Sequence, residues 1–123
     1  YEVEDTGTMS SNSVDYPDYA FKVGQMVACN KNRIGILICG TGIGMSIACN
    51  KVKGIRCAKV ANKEEAFLTR FHNDANVLAL SSKLEEEEIQ EIVETFLTTH
   101  FSKEERHIRR IQKITFYEES NDN

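Results

Sequence analysis

Cys39 ends an apolar run and is followed by glycine at positions 40, 42 and 44, in the stretch Ile36-Leu-Ile-Cys-Gly-Thr-Gly-Ile-Gly-Met-Ser-Ile47. Glycine reaches backbone angles closed to other residues, so the chain can turn sharply here and bring amide donors close to a ligand. Ile43, Ile47 and Ala48 then recur at helical spacing. The turn is therefore expected to open a helix, whose unpaired N–H groups and positive dipole end attract an anion such as a phosphate or a developing enolate. It is not a dinucleotide fingerprint, because Met45 stands where Gly-x-Gly-x-x-Gly needs its last glycine, and the Gly-Lys-Ser/Thr of a P-loop is absent. Glycines alone are better read as a tight strand-to-helix turn with no ligand. The thiol of Cys39 and the hydroxyl of Thr41 favour chemistry, since a helix N-terminus raises the thiolate fraction of a cysteine. One amide donor aimed at a developing oxyanion is worth roughly 3 kcal/mol.

Two further groups carry reactive types. His72-Asn73-Asp74 offers an imidazole, an amide and a carboxylate in succession, and Arg106 and Arg110 lie one helical turn apart, where two guanidinium forks can converge on a phosphate. Taken alone, the histidine is better read as a surface or capping residue. The arginines, with Arg109 and Lys113, are by themselves better read as a solvated basic face or a weak nucleic-acid patch. His100 and His107 belong to no motif and are read as bystanders.

Periodicity supplies the elements that must position these groups. Ile34, Ile36, Leu37 and Ile38 form a strand over 34–39, read as buried on both faces. Upstream, Tyr1–Asp5 reads as a short strand and 6–15 as a loop; Pro17 then opens a helix with Ala20, Val23, Val27 and Ala28 on its apolar face. Downstream come a helix reaching about Lys51, a strand over 56–60, a helix over 63–72 and a strand over 76–80. Ser82 precedes Glu85 at capping-box spacing, ahead of a stripe of Ile89, Ile92, Val93, Phe96 and Leu97. Ser102 and Glu105 repeat the signal before a last helix with Ile108, Ile111 and Ile114, and 115–123 is expected to be a flexible or helical tail. Strand and helix alternate without a linker, the pattern of one α/β layered domain. Ligands of such sheets bind beyond the carboxyl ends of the strands, which puts Cys39 on the functional edge. His72 precedes its next strand, so these rules alone do not bring it there.

The chain has 123 residues, a formal net charge of −4 and 41% hydrophobic residues, a balance that suits a soluble domain and argues against general nucleic-acid affinity. No apolar run approaches membrane-spanning length and no signal peptide is evident, so a cytoplasmic protein with no membrane partner is expected. Cys29, Cys39, Cys49 and Cys57 include no Cys-x-x-Cys pair, which argues against a zinc site or a disulfide framework. Cys29, Cys49 and Cys57 are read as buried small hydrophobes in a reducing compartment.

Four runs occur in order: Asp15-Tyr-Pro-Asp-Tyr-Ala20, Gly35-Ile-Leu-Ile-Cys-Gly-Thr-Gly-Ile-Gly-Met-Ser-Ile-Ala48, Asn50-Lys-Val-Lys-Gly-Ile-Arg56 and His72-Asn-Asp-Ala-Asn-Val-Leu-Ala79. Together they resemble ribose-5-phosphate isomerase type B, over Tyr1 to about Ile114. The resemblance implies a three-layer Rossmann-like sandwich with a mainly parallel sheet. It implies an aldose–ketose isomerase, free of cofactor and metal, that interconverts ribose 5-phosphate and ribulose 5-phosphate of the pentose phosphate pathway through a cis-enediolate. It implies a homodimer, open to further pairing as a tetramer, whose active site takes residues from both subunits and so brings His72 to Cys39. Cys39 would take the proton from C2 and return it at C1, with Thr41 adding a hydroxyl and the amides of Gly40, Gly42, Ile43 and Gly44 carrying the enediolate charge. His72 would act as acid and base in opening the furanose ring, Asn73 would hold a sugar oxygen, Arg106 and Arg110 would hold the phosphate, and Tyr16 would line the pocket.

The sequence departs from that pattern in three places. The family begins with a strand ending in a substrate-contacting Asp-His pair, and that strand and its helix are absent ahead of Tyr1, so an N-terminally incomplete domain is expected. Lys83 stands where members commonly carry an arginine, keeping the charge but losing the bidentate fork. Glu104-Glu105 replaces a glycine pair and would weaken the phosphate clamp unless the carboxylates point to water. Galactose-6-phosphate or allose-6-phosphate isomerisation is the rival among enzymes. A catalytically silent sugar-phosphate binding module is the rival outside them, and intact Cys39 and His72 weigh against it.

Overall fold

The computed structural model describes residues 2–6 and 15–120. Helix α1 spans Tyr16–Ala28, β1 Gly35–Cys39, α2 Ile43–Cys49, β2 Cys57–Lys59, α3 Lys63–Phe71, β3 Val77–Ser81, α4 Glu86–Thr98 and α5 Glu105–Ser120. The strands form one all-parallel sheet in the order β1-β3-β2, with Gly35 beside Val77, Cys39 beside Ser81 and Cys57 also beside Val77.

The central strand explains the layering. Val77, Leu78, Ala79 and Leu80 are all buried, because a strand covered on both faces has no polar side to show. Alternation sends Val77 and Ala79 to a core shared with Ala20 and Val27 of α1, Leu37 of β1 and Ala48 and Cys49 of α2. It sends Leu78 and Leu80 to the opposite core, with Ala66 of α3 and Ile92 and Phe96 of α4. Burying a side chain of the size of Ile92 or Phe96 stabilises the fold by about 1.5–3 kcal/mol. The result is the expected three-layer sandwich, with α1 and α2 on one face and α3 and α4 on the other.

Several expectations are corrected. Among the described residues β1 is covered on one face only: Leu37 is 4% exposed, whereas Ile36 and Ile38 are 38% and 47% exposed. The helices of the second face stand over β3 and β2, and no β1 side chain enters their core. Residues 2–6 take no regular structure in place of the expected strand at Tyr1–Asp5, since no strand among the described residues pairs with them; Glu4 instead lies 3.9 Å from Arg33. Positions 1 and 7–14 of that strand and loop, and 121–123 of the tail, lie outside the described residues. Residues 115–120 of the expected tail continue α5. Ser82 does not cap α4. The chain leaves β3 through a turn in which Lys83 N–H donates to Ser81 Oγ, and the capping box forms three residues later between Glu85 and Glu88. Cys29 is exposed and Cys57 half-buried, so only Cys49 fits the buried reading. Hydrogen bonding between Cys49 and Cys57 holds the Cys49 thiol below its ordinary range and, with burial, pushes that of Cys57 up.

Candidate active site

The candidate residues gather at opposite edges of the sheet. Cys39 is the last residue of β1, at the carboxyl edge. Its sulfur accepts a hydrogen bond from the Gly42 N–H at 3.1 Å, so a main-chain donor already faces the thiol. The turn is stapled to the neighbouring strand: Ser82 N–H donates to the Cys39 carbonyl at 2.8 Å, and Ser81 Oγ to the Gly40 carbonyl at 2.8 Å. Thr41 Oγ1 accepts from Ile43 N–H at 3.2 Å, which leaves its own O–H free to donate outward.

The three glycines face different surroundings. Gly42 caps α2 at φ +80, and a Cβ there would lie 2.9 Å from the Leu80 carbonyl carbon. Gly44 has ordinary backbone angles, but a Cβ would lie 2.5 Å from Cζ of the Tyr16 ring. At Gly40 a Cβ would meet nothing within 4 Å, so open space, rather than packing, lies over the turn. Tyr16, 43% exposed, and Ile43, 53% exposed, flank this space, and Lys83 follows β3 at the same edge.

His72 caps the C-terminus of α3 and precedes β3, at the amino edge. The five residues of β3 alone span about 16 Å, so one chain does not bring His72 to Cys39. The turn after His72 is locked by two arginines. Arg56 donates to the carbonyls of Asn73 and Asp74 at 2.9 and 2.8 Å. Arg70 pairs with Asp74 at 3.1 Å and donates to the Ala75 carbonyl at 2.6 Å, which holds Asp74 at φ 47. Asn76 completes the frame, accepting from Arg56 N–H at 2.8 Å. Sequence reasoning gave these residues no role, although the i,i+4 spacing of Arg70 and Asp74 was a signal.

Helix α5 runs along this amino edge. Ser102, just before it, donates its N–H to the Phe71 carbonyl at 3.0 Å, and Glu118 near its far end accepts from Gly54 N–H at 2.8 Å. His107 is no bystander: its ring is 5% exposed and its centroid lies 4.3 Å from that of His72. Ser102 Oγ lies 2.8 Å from His107 Nδ1 and also accepts from Glu104 N–H at 3.2 Å at the entry to α5, in place of the expected pairing with Glu105. Burial, then the charges of His72, Arg106 and Arg110, hold the His107 pKa below the ordinary histidine value, against an opposing pull from Glu104. Glu104 Oε2 lies 3.4 Å from His107 Nδ1 and 3.8 Å from the Arg106 guanidinium. One of the two carboxylates thus engages the clamp instead of turning to water. Arg106 and Arg110 are both exposed one turn apart, and Asn73 is exposed too.

Two concavities of about 380 and 430 Å³ lie along α4 and between α3 and α4, and neither is lined by Cys39 or His72. Among the described residues no group of three His, Cys, Asp or Glu side chains is arranged to hold a metal ion, and no helix is long and apolar enough to cross a membrane.

Known proteins resemble the chain in sequence and in fold. A putative sugar phosphate isomerase of Bacillus subtilis is 53% identical over 112 residues, covering 90% of this chain and 74% of that protein. Ribose-5-phosphate isomerase B of Escherichia coli is 44% identical over 119 residues, covering 96% of this chain and 79% of that protein. The crystal structure of ribose-5-phosphate isomerase B from Mycoplasma genitalium with bound ribulose 5-phosphate superposes with a TM-score of 0.90 at 45% identity, covering 95% of this chain and 78% of that one. The family model for ribose/galactose isomerases matches residues 1–114, and the chain belongs to that family.

Proposed function

We propose that the chain is an aldose–ketose isomerase that interconverts ribose 5-phosphate and ribulose 5-phosphate, at a site shared by two copies of itself. The observation that carries this reading is the division of labour between the edges. A thiol and main-chain donors stand at one, an imidazole and guanidinium groups at the other. Neither set completes the reaction alone, and a two-fold axis that sets the Cys39 edge of one protomer against the His72 edge of its partner makes two whole sites.

In this reading Arg106 and Arg110 take the phosphate. His72 moves the proton between the anomeric hydroxyl and the ring oxygen, and Asn73 holds a sugar oxygen. The Cys39 thiolate then removes the C2 hydrogen as a proton. The released electron pair forms the C1–C2 double bond, and the negative charge passes to O1, where the amides of Gly40, Gly42, Ile43 and Gly44 meet it. The thiol returns its proton to C1, and the O2 proton passes to O1 with the Thr41 hydroxyl alongside. One proton has moved from C2 to C1 and one from O2 to O1, so no oxidant enters. A reducing compartment such as the cytoplasm suits a working thiolate.

The test is isomerisation of five- and six-carbon aldose phosphates by the wild type and Cys39→Ala. Turnover of ribose 5-phosphate lost in the variant, with binding kept, supports the reading. Turnover of galactose 6-phosphate or allose 6-phosphate instead would move the substrate within the family, and binding with no turnover by the wild type would leave a silent module. Co-expression of Cys39→Ala with His72→Ala tests the shared site. Random pairing makes half the dimers mixed, each with one intact site of two, so about a quarter of wild-type activity returns; no recovery would put the two edges in separate roles.

A further inference from the structure

We propose that His107, clamped by Ser102 and packed on His72, is the positioning residue that sets the His72 ring for proton transfer. The inference rests on the isomerase reading for its kinetic consequence, and on geometry for its structural one.

The two rings are held in unlike ways. No described group hydrogen-bonds the ring of His72; its main-chain N–H goes to the Leu68 carbonyl, and the ring lies between Phe71, centroid 5.8 Å away, and His107, centroid 4.3 Å away. The χ2 torsion of an imidazole is broad, so packing alone must choose its plane and the direction of its nitrogens. His107 is fixed by polar contacts: Ser102 Oγ at 2.8 Å and Glu104 Oε2 at 3.4 Å from Nδ1. Ser102 also binds the Phe71 carbonyl through its N–H. The residue that orients His107 is thus tied to the residue immediately before His72, and a short loop of contacts closes around the pair.

The surroundings also suit a spectator ring. His72 from α3, and Glu104, Arg106 and Arg110 from the α5 side, are the charged and titratable groups that act on His107, and all but Glu104 resist its protonation. Burial and these neighbours thus disfavour a second positive charge 4.3 Å from the His72 ring. A hydroxyl can donate or accept, so Ser102 keeps hold of either tautomer.

The experiment compares wild type, His107→Phe, His107→Ala and Ser102→Ala, each checked for a native melting transition. The ¹⁵N shifts of the His72 ring report its tautomer. One dominant tautomer is expected in the wild type and a mixture in His107→Ala, with Ser102→Ala between them. His107→Phe keeps a flat ring in place and tests the Ser102 clamp if the smaller variant fails to fold. On ribose 5-phosphate, kcat is expected to fall about tenfold in His107→Ala, with KM less affected and the acid limb of the kcat/KM profile displaced. A folded His107 variant with wild-type His72 shifts, kcat and pH profile would overturn the proposal. If the wild type turned over no aldose phosphate, the functional reading would fail while the ¹⁵N shifts still decided whether His107 orients His72.

Discussion

The carboxyl and amino edges of this sheet are built from different materials. At the Cys39 edge the working polar groups are main-chain amides and carbonyls, fixed by a left-handed Gly42 and stapled to β3 by Ser81 and Ser82. At the His72 edge they are side chains that hold one another: Arg56 and Arg70 on the turn at Asp74, Glu104 on Arg106 and His107. A main-chain nest has few soft torsions and is pre-set for charge that appears only in the transition state. Half-exposed ion pairs adjust, and salt screens them. The first edge should therefore fail through geometry and the second through charge.

The largest effect is expected at the thiol. Cys39→Ala should lower kcat by about 10³-fold, the scale of a lost general base, in a protein that melts as the wild type does. The glycines then separate geometry from occupancy. Gly42→Ala should cost about 1–3 kcal/mol in urea unfolding, because φ +80 is strained for alanine and its methyl meets Leu80. Gly40→Ala should leave that curve unchanged and still reduce kcat/KM about tenfold, the methyl standing where substrate approaches the amides. Equal stability losses in the two variants would break the distinction.

At the other edge, Arg106→Gln should raise KM about tenfold with little change in kcat, and added salt should reproduce part of that loss in the wild type. Glu104→Gln should act the opposite way, lowering KM about threefold at low ionic strength by releasing Arg106 from a partly exposed pair. A KM insensitive to salt would mean that this edge, too, works by shape.

The smallest effect concerns stability against pH. The folded-state pKa of His107 lies below the unfolded value of about 6.5. Above that value both states are neutral there and nothing is gained. As pH falls through it the unfolded chain binds a proton that the folded chain refuses, so stability drops until the folded pKa is passed. His107→Phe should flatten the fall in melting temperature as pH drops below about 6.5.

Much of this was legible in the residues. An apolar run marked β3 as a strand, and the thiol before three spaced glycines marked the turn, because each signal is local to a few positions. What escaped was what the third dimension joins. Ile36 and Ile38 read as interior, yet burial depends on which helices lie above β1, which periodicity within the strand does not say. Ser82 and Ser102 had capping spacing but were already engaged, one in the turn after β3 and one with His107. His107 had no motif, and its contact with His72 exists only because α5 turns back along the amino edge. Arg56 and Arg70 act on carbonyl oxygens, for which sequence has no letter.

Gly44 has one last consequence, through the phenol that crowds it. A methyl at position 44 meets the tip of the Tyr16 ring and must push it aside, so the two sites are coupled. Trimming Tyr16 to leucine removes that contact, after which alanine at 44 becomes nearly silent, whereas the reverse order first displaces the phenol. Anyone reshaping this cavity for a longer or bulkier sugar would begin on α1 and leave the loop until second.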